Sequence, residues 1–319
     1  MNPRTTAILH FAFLAFAIGF AVWLFMPHAE VAQEPTDKAT TTRVALFPEV
    51  NIEAKSAMVY DVTTGKVLYE KDGELQWPLA SLTKIMSAYT AAQIVPHYML
   101  VRITPDDLRE EGDTGLRPDE EWTIDKLIDY SLIVSSNDGM RAIASVAGSQ
   151  IGVSPTTTAQ ESFVRTMNEN AVKLGMRESY FLNPSGLDVS DTLSGGYGSA
   201  RDMVLLVKHV ISVDPHLMEA TSYGETVVAS KNEAHGARNT NKAINNIPNV
   251  IASKTGFTDL SGGNVVIAFD ASINHPVIIS VLGSSYDGRF DDLTNLANAT
   301  LSYLTNASTT EVAIPVAAR

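Results

Sequence analysis

The chain has 319 residues, 45% of them hydrophobic and 18% charged, enough for one sizeable core. Its formal net charge of −13 argues against a nucleic-acid partner, which needs a basic face, and against attachment to anionic lipid through the folded surface. The absence of cysteine excludes disulfides, thiolate metal sites and a cysteine nucleophile, and the seven histidines are scattered without metal-ligand spacing, so neither metal nor cofactor is expected.

Arg4 precedes AILHFAFLAFAIGFAVWLFM, residues 7–26, apolar throughout except for His10. A helix of that length spans a hydrocarbon core of about 30 Å. The arginine before it, with Glu30 and Glu34 after it, fits an inside-to-outside orientation. Residues 1–6 are then cytoplasmic, 7–26 form one transmembrane helix, and the remainder lies on the extracytoplasmic side of the cell membrane. A cleaved signal peptide is the competing expectation, although PHAEVAQE offers only a poor cleavage site. Residues 27–49 are polar and threonine-rich and read as a flexible linker.

The folded part is expected over residues 50–305. SAMVYDVTTGKVLYEKDG (56–73) holds two β-prone runs around a TTGK turn. Helical patterns follow at 80–95, 123–134, 138–148, 159–175 and 199–213, then strands at 225–230 and 249–255. NVVIAFDAS (264–272) and PVIISVLGSS (276–285) read as two further strands, and FDDLTNLANATLSYL (290–304) as a closing helix. Strands at both ends of a helical middle predict an α+β fold built on an antiparallel sheet. The tail at 306–319 is too short for a second domain.

Three short motifs carry chemistry. Ser81 and Lys84 are spaced i, i+3 and so share a helix face. A helix start supplies free N–H groups and partial positive charge, which favours an alkoxide and disfavours an ammonium. An N-cap serine with a snorkelling lysine gives the same pattern. Ser135-Ser136-Asn137 lies between two apolar helical stretches, where it can place a hydroxyl and an amide in a cleft or simply cap a helix. Lys254-Thr255-Gly256 ends an apolar run; it offers a cation and a hydroxyl to a carboxylate, with Gly256 allowing close approach by a ligand, or is a strand ending in a turn.

S-x-x-K, S-x-N and K-T-G in that order form the motif set of the serine penicillin-recognising enzymes. NPSGLD (183–188), YGSARDMVLLVKHVI (197–211), NTNKAINNIPNVIASKTGFTD (239–259) and VLGSSYDGRFDD (281–292) closely resemble the low-molecular-weight D-alanyl-D-alanine carboxypeptidases, serine peptidase family S11. The resemblance implies a five-stranded antiparallel sheet flanked by helices, a mostly helical subdomain, and an active site between them. It implies Ser81 as the acylated nucleophile, Lys84 as its base, Ser135 as a proton relay and Asn137 as a substrate contact. Lys254 would tune this network and attract the substrate's negative end, while Thr255 would touch the terminal carboxylate. The backbone N–H groups of Ser81 and Phe257 would form an oxyanion hole, worth about 3 kcal/mol per donor. Arg289 would orient the carboxylate, although an exposed arginine among Asp287, Asp291 and Asp292 accounts for it equally.

The implied reaction removes the terminal D-alanine from peptidoglycan stem peptides, with β-lactams as covalent inhibitors. Three rival readings stay open. Endopeptidase action on cross-links uses the same residues. A class A β-lactamase needs an E-x-x-x-N pattern, yet Glu161, Glu169 and Glu178 have Arg165, Lys173 and Leu182 four residues on. A catalytically silent peptidoglycan-binding module would have no use for a buried nucleophile and base. Family members commonly carry a C-terminal β-rich domain and amphipathic anchor; this sequence stops short of both, which bears on how the domain is tethered.

Overall fold

A computed structural model of the chain describes residues 46–311 apart from residue 113 and residues 153–155. The expected membrane segment at 7–26 lies outside the described residues. Among those described, no helix is long and apolar enough to cross a membrane.

In chain order, β1 (Ser56–Asp61) and β2 (Lys66–Lys71) form the expected hairpin. The Asp61 carboxylate accepts from Thr63 N at 2.9 Å and Thr64 N at 3.1 Å, and Gly65 takes φ +72°, which together close the turn. The short β3 (Trp77–Pro78) leads into a 3₁₀ turn, Ala80–Leu82, and α1 (Thr83–Ile94). A two-stranded ribbon, β4 (Leu100–Arg102) with β5 (Glu121–Thr123), precedes α2 (Ile124–Ile133), α3 (Asn137–Ile151) and α4 (Ala159–Leu174). A Thr158–Glu161 capping box starts α4, and Gly175 at φ +75° ends it.

The strands β6 (Tyr180–Phe181) and β7 (Gly196–Gly198) pair into a small sheet with β3, and α5 (Ala200–Val213) follows. After a 3₁₀ segment, β8 (Glu225–Ala229) and β9 (Ala234–Arg238) form a separate hairpin. The chain closes with β10 (Val250–Thr258), β11 (Gly262–Asp270), β12 (Pro276–Ser284) and α6 (Gly288–Glu311).

The main sheet is antiparallel in the order β10-β11-β12-β1-β2, so the first two strands add to the edge of the last three. Both faces are covered, which explains the nearly continuous apolar runs in β11 and β12. On one face Val59, Ile267, Phe269 and Ile279 pack with Phe290, Leu293 and Leu296 of α6. On the other, Met58, Val266, Ala268 and Ile278 join the larger core formed by α1 to α5. The α+β architecture and the five-stranded antiparallel sheet are as expected from the sequence.

One expected strand is present with a partner the sequence did not announce, and another runs longer than expected. The strand at 225–230 belongs to the β8–β9 hairpin; β9 escapes a propensity reading because AHGAR is poor in β-branched residues, although His235 and Ala237 are buried with period two. The strand expected to stop at 255 runs on to Thr258, because Gly256, Phe257 and Thr258 continue pairing with Asn264, Gly263 and Gly262. Lys254-Thr255-Gly256 therefore lies inside an edge strand, with no turn following Gly256.

Candidate active site

Ser81 sits in the 3₁₀ turn immediately before α1, next to Ala80, whose φ of +48° is in the left-handed region. Such backbone strain clusters at functional sites and costs on the order of 1 kcal/mol. The turn is held on both sides. Leu79 N donates to Gly196 O at 2.9 Å, and Asn264 Nδ2 in β11 donates to Pro78 O at 2.9 Å. Leu79, Ile85 and Met86, all fully buried, anchor the start of the helix in the core.

One turn on, Lys84 is fully buried. Its Nζ lies 2.7 Å from Ser81 Oγ, 2.6 Å from Asn137 Oδ1 and 2.8 Å from the Ser185 carbonyl oxygen. The last two atoms can only accept. They take both N–H donors of a neutral amine and leave its lone pair for the Ser81 hydroxyl. Burial holds the Lys84 pKa well below the ordinary lysine value; the Lys254 charge acts in the same direction, and Glu110 opposes it.

Ser135 and Asn137 arrive from the α2–α3 junction. Ser135 takes φ +66°, and Ser136 caps α3 by accepting from Gly139 N at 3.0 Å. The middle residue of the triplet is thus the cap, which leaves its two neighbours to face the cleft. Asn137 Nδ2 donates to Glu111 O at 2.6 Å, so its amide is fixed at both ends. Lys254 Nζ donates to Ser135 Oγ at 2.8 Å and to Thr255 O at 2.9 Å. Lys254 is also buried, and burial, aided by the nearby Arg289 charge, lowers its pKa to about 7.

Strand β10 passes directly behind the turn that carries Ser81. A Cβ on Gly256 would lie 2.8 Å from Leu79 O and 3.1 Å from Ser81 N, so the close approach this glycine permits is to the protein's own turn. Arg289 is buried, not an exposed residue among acids. Its Nη1 donates to Gly256 O at 2.7 Å, and its guanidinium lies over the rings of Tyr286 and Phe290 at 4.6 and 4.7 Å. The neighbouring Asp292 is turned away, accepting from Glu53 N, Ala54 N and Ser284 Oγ at 2.9, 2.9 and 2.7 Å. A cleft of about 520 Å³ is lined by Ser81, Ser135, Thr255, Gly256, Phe257 and Arg289. The structure thus brings two hydrogen-bonded groups, Ser81 and Asn137 on Lys84, and Ser135 on Lys254, to a cleft walled by the other expected residues.

Two contributors were not singled out from sequence. Thr240 lies with its hydroxyl 2.6 Å from that of Thr255. Ser185 supplies a carbonyl oxygen to Lys84, positioned by the turn in NPSGLD: Asn183 Oδ1 accepts from Gly186 N at 2.7 Å, and Pro184 O accepts from Ser87 Oγ at 2.6 Å. The Asn-Pro-Ser-Gly run is a turn signal, although no residue type announces a backbone acceptor. Away from the cleft, Glu120, Glu233 and His235 converge with ligand atoms within 4.8 Å of one another. His235 Nε2 and Glu120 Oε1 are 2.5 Å apart and Glu233 pairs with Arg117, so each already has a partner within the protein.

Residues 39–285 match the sequence profile of the peptidase family S11, D-alanyl-D-alanine carboxypeptidases. The chain belongs to that family. Among S11-related proteins, the D-alanyl-D-alanine carboxypeptidase DacF of Bacillus subtilis is 30% identical over 249 residues, 76% of this chain and 58% of the relative. This chain therefore spans less than two thirds of that relative's length. A D-alanyl-D-alanine endopeptidase of Pseudomonas aeruginosa is 31% identical over 274 residues, 83% of this chain and 80% of the relative. The crystal structure of penicillin-binding protein D2 from Listeria monocytogenes in its ampicillin-bound form superposes with a TM-score of 0.65 at 26% identity, covering 79% of this chain and 99% of that one.

Proposed function

We propose that this S11 member is a serine-type D-Ala-D-Ala carboxypeptidase that trims peptidoglycan stem peptides through an acyl-enzyme on Ser81. The observation that carries the reading is a buried lysine with two fixed acceptors, Asn137 Oδ1 and Ser185 O, and its third contact on a serine hydroxyl. In this reading Ser81 Oγ attacks the carbonyl of the penultimate D-alanine as Lys84 takes its proton. The N–H groups of Ser81 and Phe257 hold the developing oxyanion. The expelled D-alanine amine receives the proton that Lys84 took, with Ser135 as the relay to the leaving group, and water then hydrolyses the ester. Lys254, Thr255 and Arg289 attract the terminal carboxylate, and Asn137 keeps Lys84 aimed.

Because β-lactams present a strained amide beside a carboxylate, they acylate Ser81 in the same way; the ampicillin-bound Listeria relative supports this. The apolar run at 7–26 tethers the domain to the outer face of the cell membrane, a reading that rests on its length and flanking charges. Cleavage of D-alanyl cross-links is the second reading, favoured by the similarity to the Pseudomonas endopeptidase. The test is release of D-alanine from a D-Ala-D-Ala-terminated peptide: Ser81→Ala is expected to lower kcat by at least about 10³-fold. Full release by that variant would remove Ser81 from the reaction.

A further inference from the structure

We propose that Arg141 is a positioning residue: its clamp on Asp106 and Glu110 holds the backbone that orients Asn137 and, through Asn137, Lys84. The inference rests on the reading above, in which Lys84 must present its lone pair to Ser81. Asn137 and Arg141 lie four residues apart at the start of α3, so they share one helix face. Both bind the segment between β4 and β5. Arg141 Nη1 donates to Glu110 Oε1 at 2.6 Å, and its Nη2 donates to Asp106 Oδ2 at 2.8 Å. One helical turn earlier, Asn137 Nδ2 donates to the Glu111 carbonyl oxygen at 2.6 Å. The guanidinium therefore grips the side chain adjacent to the very backbone group that holds the amide.

The geometry suits a clamp. A planar guanidinium holds two carboxylates at once, which an ammonium does not. Arg141 and Glu110 form a sheltered pair, their side chains 26% and 24% exposed, whereas Asp106 is more open and is shared with Arg109 at 3.1 Å. The rest of the segment is anchored elsewhere. Buried Asp107 accepts from Thr104 N and Oγ1 at 2.9 and 2.6 Å, and further on the Thr114 and Ser136 hydroxyls lie 2.7 Å apart. Between those anchors, Arg141 supplies the side-chain hold on residue 110.

Asn137 needs that hold because its amide has two unlike sides, an acceptor and a pair of donors. The Glu111 carbonyl can only accept, so it takes the NH₂ group and turns Oδ1 towards Lys84 Nζ, 2.6 Å away. With residue 111 displaced, the amide is free to rotate and set a donor against Lys84. A donor there competes for the amine lone pair that Ser81 requires. Arg141 thus acts through Asn137 without touching the reacting atoms. Charge is a separate effect: beyond burial, Lys254 of β10 lowers the Lys84 pKa and Glu110 raises it.

The test uses the full chain in detergent and measures acylation by a penicillin, kcat and KM for D-alanine release, and their pH dependence. Arg141→Met is expected to lower the acylation rate and kcat about tenfold, with KM changed less than about twofold. Asp106→Ala with Glu110→Ala cuts the clamp from its other side. The same loss is expected there, with no further loss when all three substitutions are combined. Glu110→Gln keeps an acceptor for Arg141 and removes the charge. It is expected to move the rising limb of the pH profile to lower pH, with less than about a twofold loss at the maximum. Unaltered rates in Arg141→Met, losses that add, or a tenfold loss in Glu110→Gln overturn the clamp and leave the carboxypeptidase reading standing. Neither acylation nor D-alanine release by the unaltered protein overturns both.

Discussion

Lys84 and Lys254 are two buried amines joined by electrostatics, and among the described residues neither has a carboxylate at ion-pair distance. In the proposed mechanism Lys84 acts as a base only when neutral, so kcat/KM for D-alanine release is expected to rise as pH climbs through its lowered pKa. Lys254, in the same mechanism, attracts a carboxylate only when charged, so kcat/KM is expected to fall as pH climbs through about 7. The two limbs belong to the coupled pair. Lys254→Met removes the falling limb and one of the charges that depresses Lys84, so the rising limb moves to higher pH; a rising limb that stays in place contradicts the coupling. The same burial acts on stability. The unfolded chain binds a proton at Lys254 up to the ordinary value of 10.5, whereas the folded chain loses it near 7, so stability rises with pH between those values. The slope of melting temperature against pH over that window is expected to be shallower in Lys254→Met.

Elements place these residues by close backbone approach, and two glycines carry most of it. Gly186 takes φ +80°, and a Cβ there would fall 1.9 Å from Ala80 O, against the backbone of the nucleophile turn. Gly186→Ala is expected to destabilise the fold by about 2 kcal/mol or more, read by denaturant unfolding. At Gly256 φ is ordinary and the overlap is milder, 2.8 Å from Leu79 O. Gly256→Ala is expected to pry β10 from the turn, lowering kcat/KM about tenfold or more with a smaller loss of stability. These contacts also mark where the sequence stops being legible. The i, i+3 spacing of Ser81 and Lys84 is visible because helical period is a local property. That Gly256 faces the turn, or that Ser185 offers its carbonyl to Lys84, depends on strands and loops far apart in sequence. Arg289 shows the same limit: among Asp287, Asp291 and Asp292 it reads equally as an exposed residue, yet it is buried and bonds Gly256 O, while Asp292 holds the segment entering β1.

Over the whole molecule, the hairpin β1–β2 completes a sheet begun by the last three strands, so both ends of the folded part are needed to seat β10. Fold class was readable because β-branched apolar runs flank a helical middle; strand order was not, since pairing between 56–61 and 276–284 leaves no local trace. The proposed tether belongs to this scale. Full-length protein is expected to sediment with membranes and to resist high-salt and alkaline washing until detergent is added; release by alkali alone contradicts a spanning helix. The most direct measurement of the central claim is the mass of the intact protein, followed by peptide mapping, after incubation with a penicillin. One adduct per chain on the peptide containing Ser81, absent from Ser81→Ala, is the expected result. An adduct that persists in Ser81→Ala, or its absence from the unaltered protein, would contradict Ser81 as the acylated nucleophile.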